Sequence, residues 1–460
     1  MTLFPSHRMD LIIKYLYFSR SHLTPVEGLF QGEKVYEELY KYHIEKRTKG
    51  KENATPEEKQ EGLESKNSVD CYIKRAQDLK DSMSTHGFLP KWTVKMYECG
   101  APLNGAHRIA CAESLGIPTI IERVRGRGLT WDIDEIFPKG KYIYLRNLVL
   151  HEWVRQNEEE CAFVVSWNSK QESEILNFFK DKKINIIDSG FAWSHFDPDK
   201  KNLYDLLLNI YAPETESFYS VLKEKAQKLC EQENLCVKYY LIEKPGEQII
   251  YEMDQSKYDL RFRLRESGFS GKLKNLVHAS SIPLDNLLCA STFYNPTNLL
   301  RFINLICREG RPSLKLDRWL ASLEGILEKY DLYPEDICIV GSSVLDTFGI
   351  RESTDIDIIV KSEKRKNLTS GNMVLGEKID LARKGYHRIS KNVKIHNPAR
   401  AEQEDDLIID DPQLHFRYKL YKFAHPQIVI DRKKEQGRPK DLKDVELAEK
   451  ALRNVPFIDM

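Results

Sequence analysis

Two aspartates, Asp355 and Asp357, alternate with Ile356 and Ile358 near the C-terminal end of the chain. In an extended strand, residues i and i+2 face the same side. Both carboxylates are therefore predicted to project together, while the two isoleucines enter a core. Adjacent carboxylates repel each other unless a cation lies between them, and hard oxygen ligands suit Mg²⁺. We predict that Asp355 and Asp357 are metal ligands.

A glycine and two serines follow the apolar residues 337–340, which we predict to form a short buried strand. Gly341 would let the backbone come close to a bound group. Ser342 and Ser343, at the start of a helix, would offer hydroxyl and N–H donors to phosphate oxygens. Together with the aspartates, these residues indicate a site for a metal-bound nucleoside triphosphate.

The order hydrophobic-Gly-Ser, helix, Asp-hydrophobic-Asp resembles the DNA polymerase β-type nucleotidyltransferase superfamily. The resemblance implies a small mixed sheet backed by helices, and in-line attack of an acceptor on the α-phosphate of an NTP. It also implies two Mg²⁺ ions that stabilise the attacking and leaving oxygens. Gly341 and Ser342 would match the phosphate-binding pair, and Asp355 and Asp357 the shared metal ligands.

The superfamily usually adds a third carboxylate on a later strand, which helps to activate the acceptor hydroxyl. Asp380 is our candidate for this catalytic role, with Asp410 and Asp411 as rivals. If none of them serves, the domain would bind nucleotides without turnover. The simpler alternative for the whole pattern is an acidic edge strand beside an ordinary Gly-Ser turn.

The C-terminal region offers lysines that could reach triphosphate oxygens. Lys419, Lys422 and Lys440 are the candidates. The start of the last helix, Lys-Asp-x-x-Asp, resembles the helical tail of small nucleotidyltransferases. The alternative is that Asp441 and Asp444 simply stabilise the N-terminus of that helix through capping and the helix dipole.

A second motif lies near the N-terminus, where a tight glycine turn leads directly into a helix. Its Gly-x-His-Arg spacing resembles the ParB/sulfiredoxin fold over roughly residues 70–125, whose members bind nucleotide phosphates. Ala106 stands where sulfiredoxins have cysteine, and Asn104 stands where related kinases carry an acidic residue, so no particular reaction is predicted. The residues predicted to bind phosphate are Asn104, Gly105, His107 and Arg108. The alternative is a structural turn in which His107 caps its helix.

These motifs need scaffolds, and 460 residues are too many for one hydrophobic core. We predict a multidomain protein of α/β and α+β class. Residues 1–150 would form a ParB/sulfiredoxin-like phosphate-binding domain and residues 151–315 a middle α/β domain of unknown role. Residues 316–460 would form a nucleotidyltransferase domain with a mixed sheet and a helical tail.

Hydrophobic periodicity gives the individual elements. The predicted helices are 72–86, 108–115, 172–179, 218–230 and a helix capped by Asp317 that runs to residue 330. The predicted strands are 92–97, 119–121, 162–166, 184–187, 236–242, 337–340 and 356–360. The chain from Leu414 onward is predicted to be mostly helical, with an interruption at Pro426.

Composition limits the functional class. Lys and Arg together number 70, as do Asp and Glu, so no global attraction to nucleic acid or to anionic membranes is indicated. No run approaches the roughly 20 apolar residues of a membrane span. Nine cysteines, none at C-x-x-C spacing, suggest reduced thiols in a cytoplasmic protein.

We therefore expect an enzyme that uses Mg²⁺ to transfer NMP from an NTP to a small-molecule or glycan-precursor acceptor. One alternative is a bifunctional enzyme with an N-terminal ATP-dependent small-molecule kinase. Another is a protein that senses nucleotides or modifies nucleic acid such as tRNA, a partner that the charge balance does not favour.

Overall fold

The structure is a computed structural model. The structure describes residues 4–21, 35–49, 65–138, 142–193, 201–211, 216–231, 235–244, 246–269, 276–295, 298, 312–364, 386–388, 393–396, 402–412 and 414–452. It is a mixed helix and strand protein with several small sheets. It divides into two compact units, the first ending at Glu160 and the second beginning at Cys161.

The first unit is mainly helical. Its elements are α1 (Met9–Arg20), α2 (Val35–Thr48), α3 (Val69–His86), β1 (Val94–Tyr97), α4 (Ala106–Ser114), β2 (Ile121–Val124), α5 (Ile133–Ile136) and α6 (Ile143–Gln156). The predicted helices 72–86 and 108–115 are confirmed. The strand expected at 119–121 instead begins at Ile121, where β2 pairs in parallel with β1. A two-stranded sheet buries little surface, so exposed residues such as Glu122 can belong to it, which apolar patterning does not predict.

Helix α1 forms the centre of this unit and buries most of its length. Lys14, which interrupts its apolar run, is fully buried and pairs with Asp10 at 2.5 Å. Arg8 donates to the same carboxylate at 2.7 Å, and the Lys14 ammonium lies 3.2 Å from the His43 ring. The buried lysine is thus compensated by a carboxylate one helical turn away, as a buried charge requires.

The second unit begins with a four-stranded antiparallel sheet of order β4-β5-β3-β6. Its elements are β3 (Cys161–Asn168), α7 (Glu172–Asp181), β4 (Asn185–Trp193), α8 (Lys201–Tyr211), α9 (Glu216–Cys230), β5 (Leu235–Glu243), α10 (Ile249–Glu266), β6 (Val277–Ala279) and α11 (Pro283–Phe293). The predicted strands 162–166, 184–187 and 236–242 and the predicted helices 172–179 and 218–230 correspond to β3, β4, β5, α7 and α9, whereas α8, α10, β6 and α11 were not predicted. One sheet face packs an apolar core against α7 and α10. On the other face, the buried Asp188 accepts hydrogen bonds from Tyr239 and Tyr294.

A six-stranded mixed sheet of order β11-β12-β7-β8-β10-β9 follows. Its elements are α12 (Leu314–Leu327), β7 (Ile337–Val340), α13 (Ser342–Thr347), β8 (Ile356–Val360), β9 (Tyr386–Arg388), β10 (Val393–His396), α14 (Glu402–Asp410), β11 (His415–Tyr418), β12 (Tyr421–Ala424), α15 (Pro426–Gln436) and α16 (Pro439–Leu452). The predicted strands 337–340 and 356–360 are confirmed. Strand β7 is antiparallel to β8 and parallel to β12, and β8 is parallel to β10.

The prediction of a mostly helical chain from Leu414 is wrong for its first ten residues. They form the β11–β12 hairpin, in which the side chains of all eight strand residues are buried. Pro426 does not interrupt a helix but begins α15, where its missing N–H costs nothing. Asp317 lies inside the first turn of α12 rather than capping it, and the Ser313 hydroxyl accepts the Leu316 N–H instead.

Side-chain amides join the middle region to this hairpin within the second unit. Asn209 donates to the Arg417 carbonyl and accepts the Lys419 N–H, while Asn295 donates to the Pro412 and His415 carbonyls. Residues predicted to form separate domains, 151–315 and 316–460, thus share buried hydrogen bonds. Among the described residues, no helix combines the length and hydropathy needed to cross a bilayer.

Candidate metal and nucleotide site

Asp355 and Asp357 lie at the start of β8, where it leaves a surface loop. The isoleucines that alternate with them, Ile356 and Ile358, are fully buried, whereas both aspartates remain partly exposed. The antiparallel register sets Asp357 opposite Val340, the last residue of β7. The strand alternation therefore places both carboxylates at the sheet end where β7 finishes.

Gly341 follows Val340 and lies directly against one of these carboxylates. Its φ of 72° lies in the region that favours glycine. A Cβ added to Gly341 would approach Asp357 Oδ2 to 2.7 Å, which is closer than real contacts allow. A glycine is therefore required here by both backbone conformation and the proximity of the Asp357 side chain.

The two serines after Gly341 have different surroundings. The Ser343 hydroxyl is buried and donates to the Asp355 carbonyl at 2.8 Å. It therefore fixes the backbone of a predicted metal ligand rather than facing a phosphate. Ser342, at the first position of α13, is 9% exposed and is the serine that stays closer to the surface.

Asp346, which sequence reasoning did not single out, holds the loop that leads to Asp355. Its buried carboxylate accepts the Ser353 N–H and hydroxyl at 2.7 and 2.8 Å. It also accepts the Ser313 N–H and hydroxyl at 2.8 and 2.9 Å. Asp346 belongs to α13, so these four hydrogen bonds connect α13 to the loop before Asp355 and to the start of α12. A charge-assisted network of this kind is rigid.

The Lys-Asp-x-x-Asp motif fastens the C-terminal helices to the same loop. Asp444 receives the Arg351 guanidinium at 2.6 and 2.7 Å and the Lys433 ammonium at 2.7 Å. Asp441 also binds Lys433, at 3.0 Å. Both aspartates are thus buried ion-pair partners, while Lys440 is exposed in the first turn of α16.

Another lysine that the sequence did not single out lies beside the loop. Lys315, in α12, donates to the Ser353 carbonyl at 3.3 Å and is otherwise exposed. Its ammonium also lies 4.8 Å from the centroid of the Trp319 ring, and its backbone acceptor is two residues before Asp355.

Lys419 and Lys422 lie at the opposite end of the sheet. Phe423 of β12 is in register with Ile339 of β7, so the hairpin turn that contains Lys419 lies beyond the first residue of β7. Lys419 is buried and pairs with Asp317 at 2.7 Å. Lys422 pairs with Glu335 at 2.9 Å, just before β7. In this register Lys422 is level with Cys338, three residues before Gly341, and Lys419 lies further away. At about 3.3 Å per strand residue, both lysines are therefore at least roughly 10 Å from Gly341.

The third carboxylate is not identified among the described residues. Asp380 lies outside them. Asp410 pairs with Lys361, which directly follows β8. Lys361 is four residues from Asp357, or about 13 Å along the strand. The adjacent Asp411 is buried. Strand β10 aligns Lys394 with Asp357, and its four residues include no acidic one. Neither rival thus lies beside the two predicted metal ligands.

Within the described part of the chain, no group of three or more His, Cys, Asp or Glu side chains is placed to hold a metal ion. Two carboxylates nevertheless fit Mg²⁺, because this ion usually keeps several waters and takes its remaining ligands from substrate phosphates. Because a Cβ at Gly341 would come within 2.7 Å of Asp357 Oδ2, the glycine allows the end of β7 to lie directly against this carboxylate.

The N-terminal motif is arranged as a turn packed against β1. Gly105 has a φ of 79°, and a Cβ there would meet Val94 at 2.9 Å. The His107 ring lies 2.8 Å from the Tyr40 hydroxyl. Burial, and then the nearby Lys14 and Arg47 cations, hold the pKa of His107 well below its usual value. The imidazole is therefore neutral and engaged with protein.

The other two predicted phosphate ligands of this motif are nearer the solvent. Arg108 is partly exposed and donates to the exposed Asn104 side chain at 3.4 Å. Asn104 and Arg108 are thus the two predicted phosphate ligands with solvent-exposed surface.

A scan of protein-family models finds no match to this chain, and searches of curated proteins and of solved structures find none either. The functional inference therefore depends on the arrangement of the residues described above.

Proposed function

We propose that this protein is a Mg²⁺-dependent nucleotidyltransferase that transfers NMP from an NTP to a small-molecule or glycan-precursor acceptor. The observation that supports it is the close contact between Gly341 and the Asp357 carboxylate at the end of two antiparallel strands. The choice of acceptor class rests on the superfamily resemblance alone.

Asp355 and Asp357 would hold the metal, which when bound would neutralise charge on the phosphate oxygens. Gly341 would admit the triphosphate next to these carboxylates, and Ser342 would offer donors to it. Lys315 would add a positive charge on the loop side. Ser343 and Asp346 would keep the Asp355 backbone in place, because positioned ligands need a rigid support.

The test measures pyrophosphate release from each NTP with Mg²⁺ and a panel of hydroxyl-bearing acceptors. Replacing Asp355 and Asp357 together by Asn should abolish release, because the neutral amides bind Mg²⁺ poorly. The matched control is Asp410→Asn, which alters a carboxylate at the other end of β8 and should retain activity.

Binding of Mn²⁺ with a non-hydrolysable NTP analogue separates catalysis from nucleotide binding. If the wild-type protein neither binds the analogue nor releases pyrophosphate, the proposed function is wrong. If it binds without release, the domain is a nucleotide-binding module that lacks a catalytic carboxylate.

A further inference from the structure

An arginine-glycine repeat leaves β2 in the first unit. Residues 125–128 read Arg-Gly-Arg-Gly, directly after Val124. The loop is anchored at its far end by Trp131, whose N–H donates to the His7 carbonyl at 2.7 Å and whose carbonyl accepts the Met9 N–H at 2.9 Å. Both ends of the loop are therefore fixed by backbone pairing.

The two glycines are required by close packing. A Cβ at Gly126, which has a φ of 132°, would lie 2.6 Å from the Tyr97 ring. A Cβ at Gly128 would lie 2.3 Å from the Ala101 Cβ. The loop thus lies flat on Tyr97 and Ala101, and this packing determines where the intervening arginines emerge.

Those arginines face the solvent. Arg125 and Arg127 are exposed, and within the described part of the chain neither guanidinium has a hydrogen bond or ion pair with protein. Arg123 is also exposed and makes only a long contact, 3.5 Å, to the Tyr97 carbonyl. Residues 121–131 include three arginines and one glutamate, and the acidic residues that follow are engaged elsewhere: Asp132 and Glu135 cap α5, and Asp134 pairs with Arg146.

We propose that this loop binds the phosphodiester backbone of a nucleic acid. An exposed ion pair with a single small anion contributes little, because water and salt screen it. A polyanion differs, since each phosphate that an arginine neutralises releases condensed counterions. Exposed arginines on a fixed loop are therefore more useful against a chain of phosphates than against a free nucleotide. This inference is independent of the proposed transferase site in the second unit.

The test is fluorescence anisotropy of the full-length protein with labelled single-stranded RNA of about 20 nucleotides, between about 50 and 200 mM salt. Wild-type binding should weaken steeply with salt. Arg125→Gln with Arg127→Gln should lower affinity about tenfold, and should make the log–log salt slope shallower by about 1.4, or about 0.7 per lost phosphate contact. Arg125→Lys with Arg127→Lys should retain the slope.

The matched control, Arg265→Gln with Lys170→Gln, removes two exposed charges from the second unit and should bind as wild type. Single-stranded DNA and duplex DNA of equal length show which phosphodiester chain is preferred. The proposal is overturned if wild-type protein shows no salt-dependent binding to any of these, or if the double Gln variant binds equally well. Equal competition by polyglutamate or by ATP would also overturn it, because the loop would then recognise negative charge alone.

Discussion

Gly341 shows how a single residue can combine a backbone requirement with a chemical one. Its positive φ excludes most side chains, and the Asp357 carboxylate occupies the space where a Cβ would be. A substitution at Gly341 would therefore have two effects together: it would strain the backbone and displace Asp357, a predicted metal ligand. The two effects can be separated, because at Gly437, which also has a positive φ, a new Cβ would meet no side chain within 4 Å.

We expect Gly341→Ala to cost about 1–2 kcal/mol of stability from the backbone strain. It should also lower Mn²⁺ affinity and pyrophosphate release at least about tenfold, because the methyl group must displace Asp357. Urea unfolding and metal titration measure the two effects. In the control Gly437→Ala, where the nearest atom to the new Cβ is a backbone oxygen at 3.9 Å, only stability should fall. Equal metal affinity in both variants would refute the assigned role of Gly341.

The sequence identifies the residues whose role is local and misses those whose role depends on tertiary contacts. Asp355 and Asp357 follow from strand alternation, which needs no knowledge of the rest of the fold. Asp346 cannot be recognised this way, since its importance comes from Ser313 and Ser353 on either side of it. Lys419 was predicted to reach triphosphate oxygens from a helical C-terminal region, whereas it lies in the turn of the β11–β12 hairpin and pairs with Asp317.

At the level of elements, strands 337–340 and 356–360 were predictable because they are short, apolar and bounded by Gly or polar residues. The β11–β12 hairpin was not. Its residues alternate apolar with cationic side chains, and the cations are buried only because Glu335 meets Arg417 and Lys422. Burial raises the pKa of Glu335, but these two cations outweigh it and lower the pKa overall.

The last two helices are held to the candidate site by charge. Replacing Asp444 by Asn should remove the carboxylate that binds Arg351 and leave Lys433 with Asp441 alone, at a cost of about 2–4 kcal/mol. Because Arg351 belongs to the loop before Asp355, nucleotide affinity should fall as well. The control is Glu449→Gln, at another residue of α16. It breaks a more exposed pair with Lys434 of α15 and should change both quantities little. Unchanged nucleotide affinity in Asp444→Asn would show that this loop does not depend on the helix.

For the molecule as a whole, buried histidines make stability depend on pH. Burial lowers the pKa of His43, His107 and His278 well below 6.5 and that of His425 to about 3. The unfolded chain then binds protons that the folded chain does not, so stability is present above pH 6.5 and is lost as the pH falls below it. Both units contain such residues.

Between pH 7 and pH 5, His425 should remove about 2 kcal/mol of unfolding free energy, and the other three histidines should lower stability in the same direction. Urea unfolding at the two pH values measures the sum. His425→Asn should reduce the loss by about that amount, since Asn can still accept the Gln427 N–H at the start of α15 but does not titrate. A protein equally stable at both pH values would show that these imidazoles are accessible to protons in the fold.

The order of strands in the six-stranded sheet bears on synthesis of the protein. The β11–β12 hairpin comes late in the chain, yet β12 pairs with β7, the strand that ends at Gly341. A nascent chain that has left the ribosome only as far as β8 therefore exposes the unpaired edge of β7, and unpaired edges recruit other strands. Translation must continue through β12 before that edge is covered, so arrest before residue 421 should yield a product prone to aggregation.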